Sequence, residues 1–346
     1  MAVAVVLFHC GVGWIYNVAV SGVTFFFISS TFLLALRHPF TRLTGRDYRR
    51  FVMDHAARLY PLHWLGLALL IAIAWWLGTG PIDWGATALS ALLLHSWSPV
   101  HEVHYGLNPV AWYLCALLFI YLIYPVMSRW LGRWRLRNKV LLALLLSLLL
   151  GCVLLPLDIP GREAVFVNPL SHVLDVVVGI AMVHAYHLLK ARASSLSRGR
   201  ATVLECAALL SLAVVIAVNM CTTWIRPWED VIIWLVPQGG ILMVLALNNG
   251  HEGAVGRVLL CRPLQWLGSI SFEMYVLQFV VFHLFGFALS PLAGHYGWSI
   301  YGQLAWFALP LLMPLSWLVN RFFTRPVAVW IRIHVVKCND TSQREE

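Results

Sequence analysis

Apolar residues along this chain fall in long runs, and short stretches carrying Pro, Gly and nearly all of the charge separate them. A helix needs ~20 apolar residues to cross the hydrocarbon core of a bilayer. On that criterion the runs predict helices over 1–17, 18–36, 53–78, 108–128, 139–156, 169–189, 201–221, 231–248, 264–289 and 299–323. The connection from Gly78 to Leu107 is longer than the others and contains ATALSALLLHSW (86–97). That piece is too short to span and suits a re-entrant or interfacial helix. The predicted fold class is therefore all-α: a polytopic transmembrane helical bundle of about ten spans. Residues 1–330 form the transmembrane domain and 331–346 a C-terminal tail, whose end, Asn339 to Glu346, is polar and expected to be disordered.

Composition strengthens this reading. Of 346 residues, 60% are hydrophobic and 11% charged, and the mean hydropathy is +0.78. A soluble domain carries roughly 25% charged residues, so soluble enzyme folds are excluded. The formal net charge of +9 reflects basic loops and gives no reason to expect nucleic acid. Lys and Arg accumulate in loops that stay cytoplasmic, and here they separate by side. All of the 24 except Arg162 and Arg226 fall in alternate connections or after the last span, which puts both termini in the cytoplasm. Asp83, Glu102, Asp158, Glu163, Glu229 and Asp230 fall on the opposite side. No basic residue precedes the first apolar run and no small-residue cleavage site follows it, so it is read as a span and not as a signal peptide. Seven scattered cysteines without a C-x-x-C pair imply neither a disulfide framework nor zinc, and no metal is expected.

Ionisable groups inside spans carry the candidate chemistry, because each costs about 2.5–3.5 kcal/mol at a helix centre unless it finds a partner. His9 lies half-way along the first run, where imidazole can move a proton near neutral pH or can simply bridge two helices. Cys10 beside it points elsewhere on the helix, which disfavours a Cys–His pair. Asp54, His55 and Arg58 stand at the cytoplasmic entrance of the third span, either as a snorkelling ion pair or, with Arg46, Arg49 and Arg50, as an anion site suited to phosphates. His172 and Asp175, at i, i+3 near the outer end of the sixth span, are spaced to pair as carboxylate and imidazole, either facing a cavity or as a structural hydrogen bond. Glu205 and Glu273 read as structural or interfacial, while the loop residues His95, His101 and His104 fit no zinc spacing and are expected to be solvated.

Five segments, in order, resemble the acyltransferase 3 family of bacterial inner-membrane proteins that O-acylate cell-surface and secreted sugars. They are VAVVLFHC with GVTFFFISSTFLL (22–34), HAARLYPLHW (55–64), NPVAWYLCALLFIYLIYP (108–125), DVVVGIAMVHAY (175–186) and LGSISFEMYVLQFVV (267–281). The resemblance implies ten core helices, a cytoplasmic acyl-CoA donor, usually acetyl-CoA, and a sugar or polysaccharide acceptor on the outer side. His9 matches the family's catalytic histidine and Arg58 the second arginine of its R-x-x-R motif. The first arginine of that motif is His55 here, the Gly of a span-2 Ser-Gly is Thr31, and a late histidine is Gln278. The family's arginine some ten residues before the histidine has no counterpart in the eight residues that precede His9. Either the natural start lies upstream or this member has lost part of the donor site.

The reaction expected from the resemblance is transfer of an acyl group, in most cases acetyl, to a hydroxyl of a cell-envelope or secreted polysaccharide or glycoconjugate at the inner (plasma) membrane. His9 would be the base, Arg49, Arg50, Arg58, His55 and Tyr60 the donor site, and Ser29, Ser30, Thr31 and Tyr60 candidate oxyanion donors. Two alternatives stand beside it: a proton-coupled transporter or flippase using Glu205, Asp175 and His172, and a catalytically silent member acting as a membrane scaffold.

Overall fold

The computed structural model describes residues 1–78, 80–193, 196–222, 232–296, 300–331 and 333, with the side chains of 292–296 and 300–307 excepted. The regular elements among the described residues are all helices, without strands. The helices run α1 (Ala2–His9), α2 (Tyr16–Arg37), α3 (Gly45–Leu77), α4 (Trp84–Ala91), α5 (His101–Tyr105), α6 (Ala111–Gly132), α7 (Leu136–Leu154) and α8 (Ile159–Val167). They continue as α9 (Val173–Ala193), α10 (Arg198–Cys221), α11 (Leu235–Leu247), α12 (Ala254–Leu259), α13 (Arg262–Ser269), α14 (Ser271–Tyr296), α15 (Ile300–Val319) and α16 (Arg325–Ile331). Among the described residues, seven helical stretches are long and apolar enough to cross a membrane. Leu144, Leu145, Leu148 and Leu149 of α7 remain exposed, as expected of a surface meant for lipid and not for water. Exposed Trp75, Trp76 and Trp84 cluster where α3 ends and α4 begins, the position of an interfacial aromatic belt.

Three elements depart from the sequence expectation. The first run does not form one helix over 1–17: α1 stops at His9, Gly11 adopts a positive φ of 87°, and a 3-10 turn over Gly13–Ile15 leads into α2. At 1.5 Å per residue an eight-residue helix covers about 12 Å. The third helix begins at Gly45, well before the apolar run, because Thr44 and Asp47 close a capping box. Thr44 Oγ1 accepts from Asp47 N at 3.1 Å and Asp47 Oδ2 accepts from Thr44 N at 3.2 Å. The expected 264–289 helix is interrupted at Ile270 between α13 and α14. The 78–107 connection holds only short helices, as its length requires. Arg226, Glu229, Asp230 and the tail Asn339 to Glu346 lie outside the described residues.

The chain divides into two compact units. One comprises Met1–Ala19, Thr44–Leu122 and Ser269–Glu346. In it α14 packs against α15, α3 and α1. Gly66 permits the α3–α14 approach: a Cβ there would lie 3.3 Å from Val276 Cγ1. Nearby Asn108 Nδ2 donates to the Val276 carbonyl at 3.3 Å and Tyr275 Oη to the Val110 carbonyl at 3.1 Å. Glu273 accepts from Asn320 Nδ2 at 2.8 Å, where a π-helical turn, Asn320–Thr324, follows α15.

The other unit comprises Val20–Leu43 and Ile123–Gly268. Ile28, Leu174 and Leu235 form one core cluster, and Leu212, Trp234 and Ile241 another. Helices α2 and α9 cross at Thr31 and Gly179, where any Cβ on Gly179 would overlap Thr31. The Thr31 hydroxyl donates to the Asp175 carbonyl at 2.9 Å. Glu205 of α10 is buried and staples the start of α12: its carboxylate accepts from Gly253 N, Val255 N, Gly256 N and Asn248 Nδ2 at 2.9–3.2 Å. A Cβ on Gly253 would overlap the Glu205 carboxylate and the Thr202 backbone. Gly253→Ala is therefore expected to cost about 2 kcal/mol or more, by forcing the buried carboxylate off its donors. A thermal unfolding curve of the purified variant in detergent reads this, and an unchanged midpoint would refute the staple.

Candidate functional site

The site is built around His9. Helix α1 ends on it because Gly11 takes a left-handed φ, so the ring stands in the last turn of a short helix, at the negative end of the helix dipole, which favours a cation. His9 Nδ1 lies 3.0 Å from Gln278 Oε1 of α14. The Gln278 amide is held in its turn: Nε2 donates to the Tyr275 carbonyl at 2.8 Å, which leaves Oε1 as the acceptor facing the imidazole. Nδ1 therefore carries the proton and Nε2 the lone pair. The Val5 carbonyl one turn back also faces the ring, as the i−4 carbonyl faces Nδ1 in His55 and His283. Phe279 meets His9 edge-on at 5.4 Å. Gln278, which from sequence is only a motif departure, is thus the residue that orients His9. The signal that could have found it is the pairing of two motif positions across 269 residues.

The capping box at Thr44 makes Arg46, Arg49 and Arg50 helical and carries them on the same helix as Arg58. Arg49, Arg50 and Arg58 are exposed. His55 is half-buried, its Nδ1 2.7 Å from the Phe51 carbonyl and its ring tilted against Tyr121 at 4.6 Å. Tyr60, His63 and Trp64, at i, i+3 and i+4, share one face, and that face meets the C-terminal end of α4. Tyr60 Oη donates to Leu92 O at 3.1 Å, His63 Nε2 to Ser90 O at 2.8 Å and Trp64 Nε1 to Ala91 O at 2.9 Å. Cys115 Sγ completes the set on Leu93 O at 2.8 Å. Four successive carbonyls at a helix end thus accept from side chains; Ser90 O also accepts from Leu93 N at 2.8 Å, and Ala91 O, Leu92 O and Leu93 O lie past the last helical donors. Leu93 holds the turn with a φ of 56°, the one non-glycine positive φ among the described residues.

The loop histidines differ from expectation. His101 is exposed, but His95 and His104 are buried, because the short helices of the 78–107 segment fold back over them. Neither nitrogen of His95 has a hydrogen-bond partner among the described residues. Burial, with the His63 and His104 rings alongside, pushes the His95 pKa down to about 3. No group of three or more ligating side chains suited to a metal occurs among the described residues.

The groups of the transport alternative are engaged in structural bonds. Glu205 holds the turn before α12, as described above. His172 Nδ1 meets Asp175 Oδ2 at 2.8 Å and Nε2 meets the Phe166 carbonyl at 3.0 Å, while the ring stacks on Phe27 at 3.9 Å. A carbonyl cannot donate, so Nε2 carries a proton and a second proton lies between Nδ1 and the carboxylate. Of the proposed oxyanion donors, Ser29 Oγ donates to Phe26 O at 3.1 Å and Thr31 to the Asp175 carbonyl.

A membrane-crossing helical protein with an oriented imidazole at a helix break and arginines on a long third helix is the class these features define. The chain belongs to the acyltransferase family described as "Acyltransferase domain" (Acyl_transf_3), whose model matches residues 1–321. It is a multi-pass membrane protein of an acyltransferase family. No curated protein and no solved structure matches it.

His95 supplies a pH test. Its folded pKa lies below the ordinary value of about 6.5, so its contribution to stability is present above that value and is lost as pH falls towards 3. His95→Leu, which keeps the bulk and removes the titrating ring, is expected to flatten the fall in melting temperature between about pH 7 and pH 5. A variant curve parallel to the wild type would contradict the burial.

Proposed function

We propose that this protein is an O-acyltransferase that moves an acyl group, acetyl in the simplest case, from cytoplasmic acyl-CoA to a hydroxyl of a cell-envelope or secreted polysaccharide or glycoconjugate. The observation that carries the proposal is the 3.0 Å contact between His9 Nδ1 and Gln278 Oε1, from an amide turned by the Tyr275 carbonyl, from which Nε2 follows as the free base. Nε2 takes the hydroxyl proton as the oxygen attacks the thioester carbonyl, and the resulting imidazolium is favoured by the carbonyl end of α1. Collapse of the tetrahedral intermediate breaks the C–S bond, and the imidazolium returns its proton to the departing thiolate, so the base is regenerated.

Arg49, Arg50 and Arg58 take the donor phosphates at the end of α3 that the charge distribution assigns to the cytoplasm. His55 and Tyr60 belong to the same donor helix: His55 is fixed against Phe51 and Tyr121, and Tyr60 steadies the α4 end beside which the donor would pass. The membrane is the bacterial inner membrane, on the strength of the family resemblance and of both termini reading as cytoplasmic. Burial of the reacting groups from bulk water would protect the thioester from hydrolysis.

The test is acyl transfer from labelled acetyl-CoA to envelope glycans in membranes of cells that express each variant. His9→Ala is expected to lower transfer by roughly 100-fold or more with membrane insertion unchanged. Gln278→Leu, which removes the acceptor for Nδ1 and leaves the base in place, is expected to lower kcat about ten-fold while the KM for acetyl-CoA holds. Full transfer by His9→Ala would remove the proposal.

A further inference from the structure

Within the unit Val20–Leu43 and Ile123–Gly268 lies a cavity of about 380 Å³, lined by the end of α2 and the 39–41 turn, the last turns of α6, the start of α7 and the second half of α9. Its polar lining is mostly basic, with Arg129, Arg133, Lys139, His184 and His187 beside Thr41 and Ser128, and no Asp or Glu is among the lining residues. All of these positions fall at the end of the bundle that the arginine count assigns to the cytoplasm.

Lys139 is the unusual member. It is only 2% exposed, and the group its ammonium meets is another base: Nζ lies 3.0 Å from His184 Nδ1. The ammonium has protons only to give, so His184 accepts on Nδ1, carries its own proton on Nε2 and presents a further donor. A buried ammonium whose neighbour is a neutral imidazole lacks the opposite charge that a buried ion requires. Arg129 and Arg133 are exposed and sit on the rim. One side of the cavity is apolar, with Pro39, Phe40, Ile180 and Val183. A small, fully hydrated inorganic anion has no use for such a wall, whereas an organic phosphate places its carbon skeleton there.

We propose that this cavity is a subsite for a phosphate monoester or diester with an apolar or aromatic body, the phosphate seated on Lys139, His184 and Arg133. Two sources share that chemistry: the headgroup of an anionic phospholipid of the inner leaflet, and a nucleotide such as coenzyme A, held here by residues other than the α3 arginines that the proposed reaction uses. Only the nucleotide source rests on the acyltransferase reading.

The experiment uses the full chain in lipid nanodiscs and three probes: inorganic phosphate, coenzyme A and phosphatidylglycerol. Inorganic phosphate is expected to raise the melting temperature of the wild type and to do so less in Lys139→Gln and Arg133→Gln, since a charge-assisted hydrogen bond is worth about ten-fold or more in affinity. An about ten-fold loss of coenzyme A affinity in the variants, by calorimetry, identifies the nucleotide source. An equal loss of co-purifying phosphatidylglycerol with coenzyme A affinity unchanged, by native mass spectrometry, identifies the lipid source. If Lys139→Gln fails to fold, Arg133→Gln on the rim gives the same reading. The proposal is overturned if all three probes bind the folded variants within two-fold of the wild type. His9→Ala should bind every probe normally, so a failure of the His9 chemistry and a failure of this subsite are separable.

Discussion

The hydrogen bond between His9 Nδ1 and Gln278 Oε1 is the interaction on which the functional account depends. An imidazole alone at a helix end has two ways to hold its proton, and only one leaves a base directed away from the helix that orients it. The Tyr275 carbonyl decides between them at one remove, because it accepts from the Gln278 amide nitrogen and so turns the amide oxygen towards the ring. Three residues on two helices thus specify a protonation state. The break at Gly11 adds a second condition, since it ends α1 where its carbonyl dipoles meet the side chain that is to become positive.

The same economy of polar groups recurs wherever the backbone leaves regular helix. Inside an apolar bundle an unpaired carbonyl or amide costs several kcal/mol, and this chain meets that cost with side chains placed at helical spacing. Tyr60, His63 and Trp64 on α3, with Cys115 on α6, cover the carbonyls at the end of α4. Glu205 covers the amides that open α12, and Asn320 bridges Glu273 and the Ser269 carbonyl beside the π-turn. Side chains that read from sequence as candidate chemistry are in these places the means by which short, non-spanning helices are held. Lys139 and His95 stand apart: one is a buried ammonium against a neutral ring, the other a buried imidazole whose nitrogens have no partner among the described residues.

The helical, membrane-crossing character of the chain was legible from hydropathy alone, because spans of ~20 apolar residues leave a signal that no tertiary contact can reverse. The family was legible from five ordered motifs. The break after His9 was not, since apolar residues continue through Gly11 and Gly13 and a hydropathy reading has no sensitivity to one positive φ. The early start of α3 was missed for the opposite reason: Thr44 and Asp47 are polar, so a search for apolar runs passes over the capping box that they form. His95 and His104 looked solvated because their segment is a long connection, and only the fold-back of α4 and α5 reveals that they are enclosed. Gln278 shows in the sequence only as a departure from a motif, because its bond to His9 exists only once α1 and α14 are packed together.

Nitrogen-15 NMR of the protein labelled at histidine, with His9 assigned by comparison with His9→Ala, tests the central claim most directly. The account predicts that near neutral pH Nδ1 resonates as a protonated nitrogen and Nε2 as an unprotonated one, and that Gln278→Leu erases this difference. A His9 ring protonated on Nε2 in the wild type, with Nδ1 bare, would contradict the account.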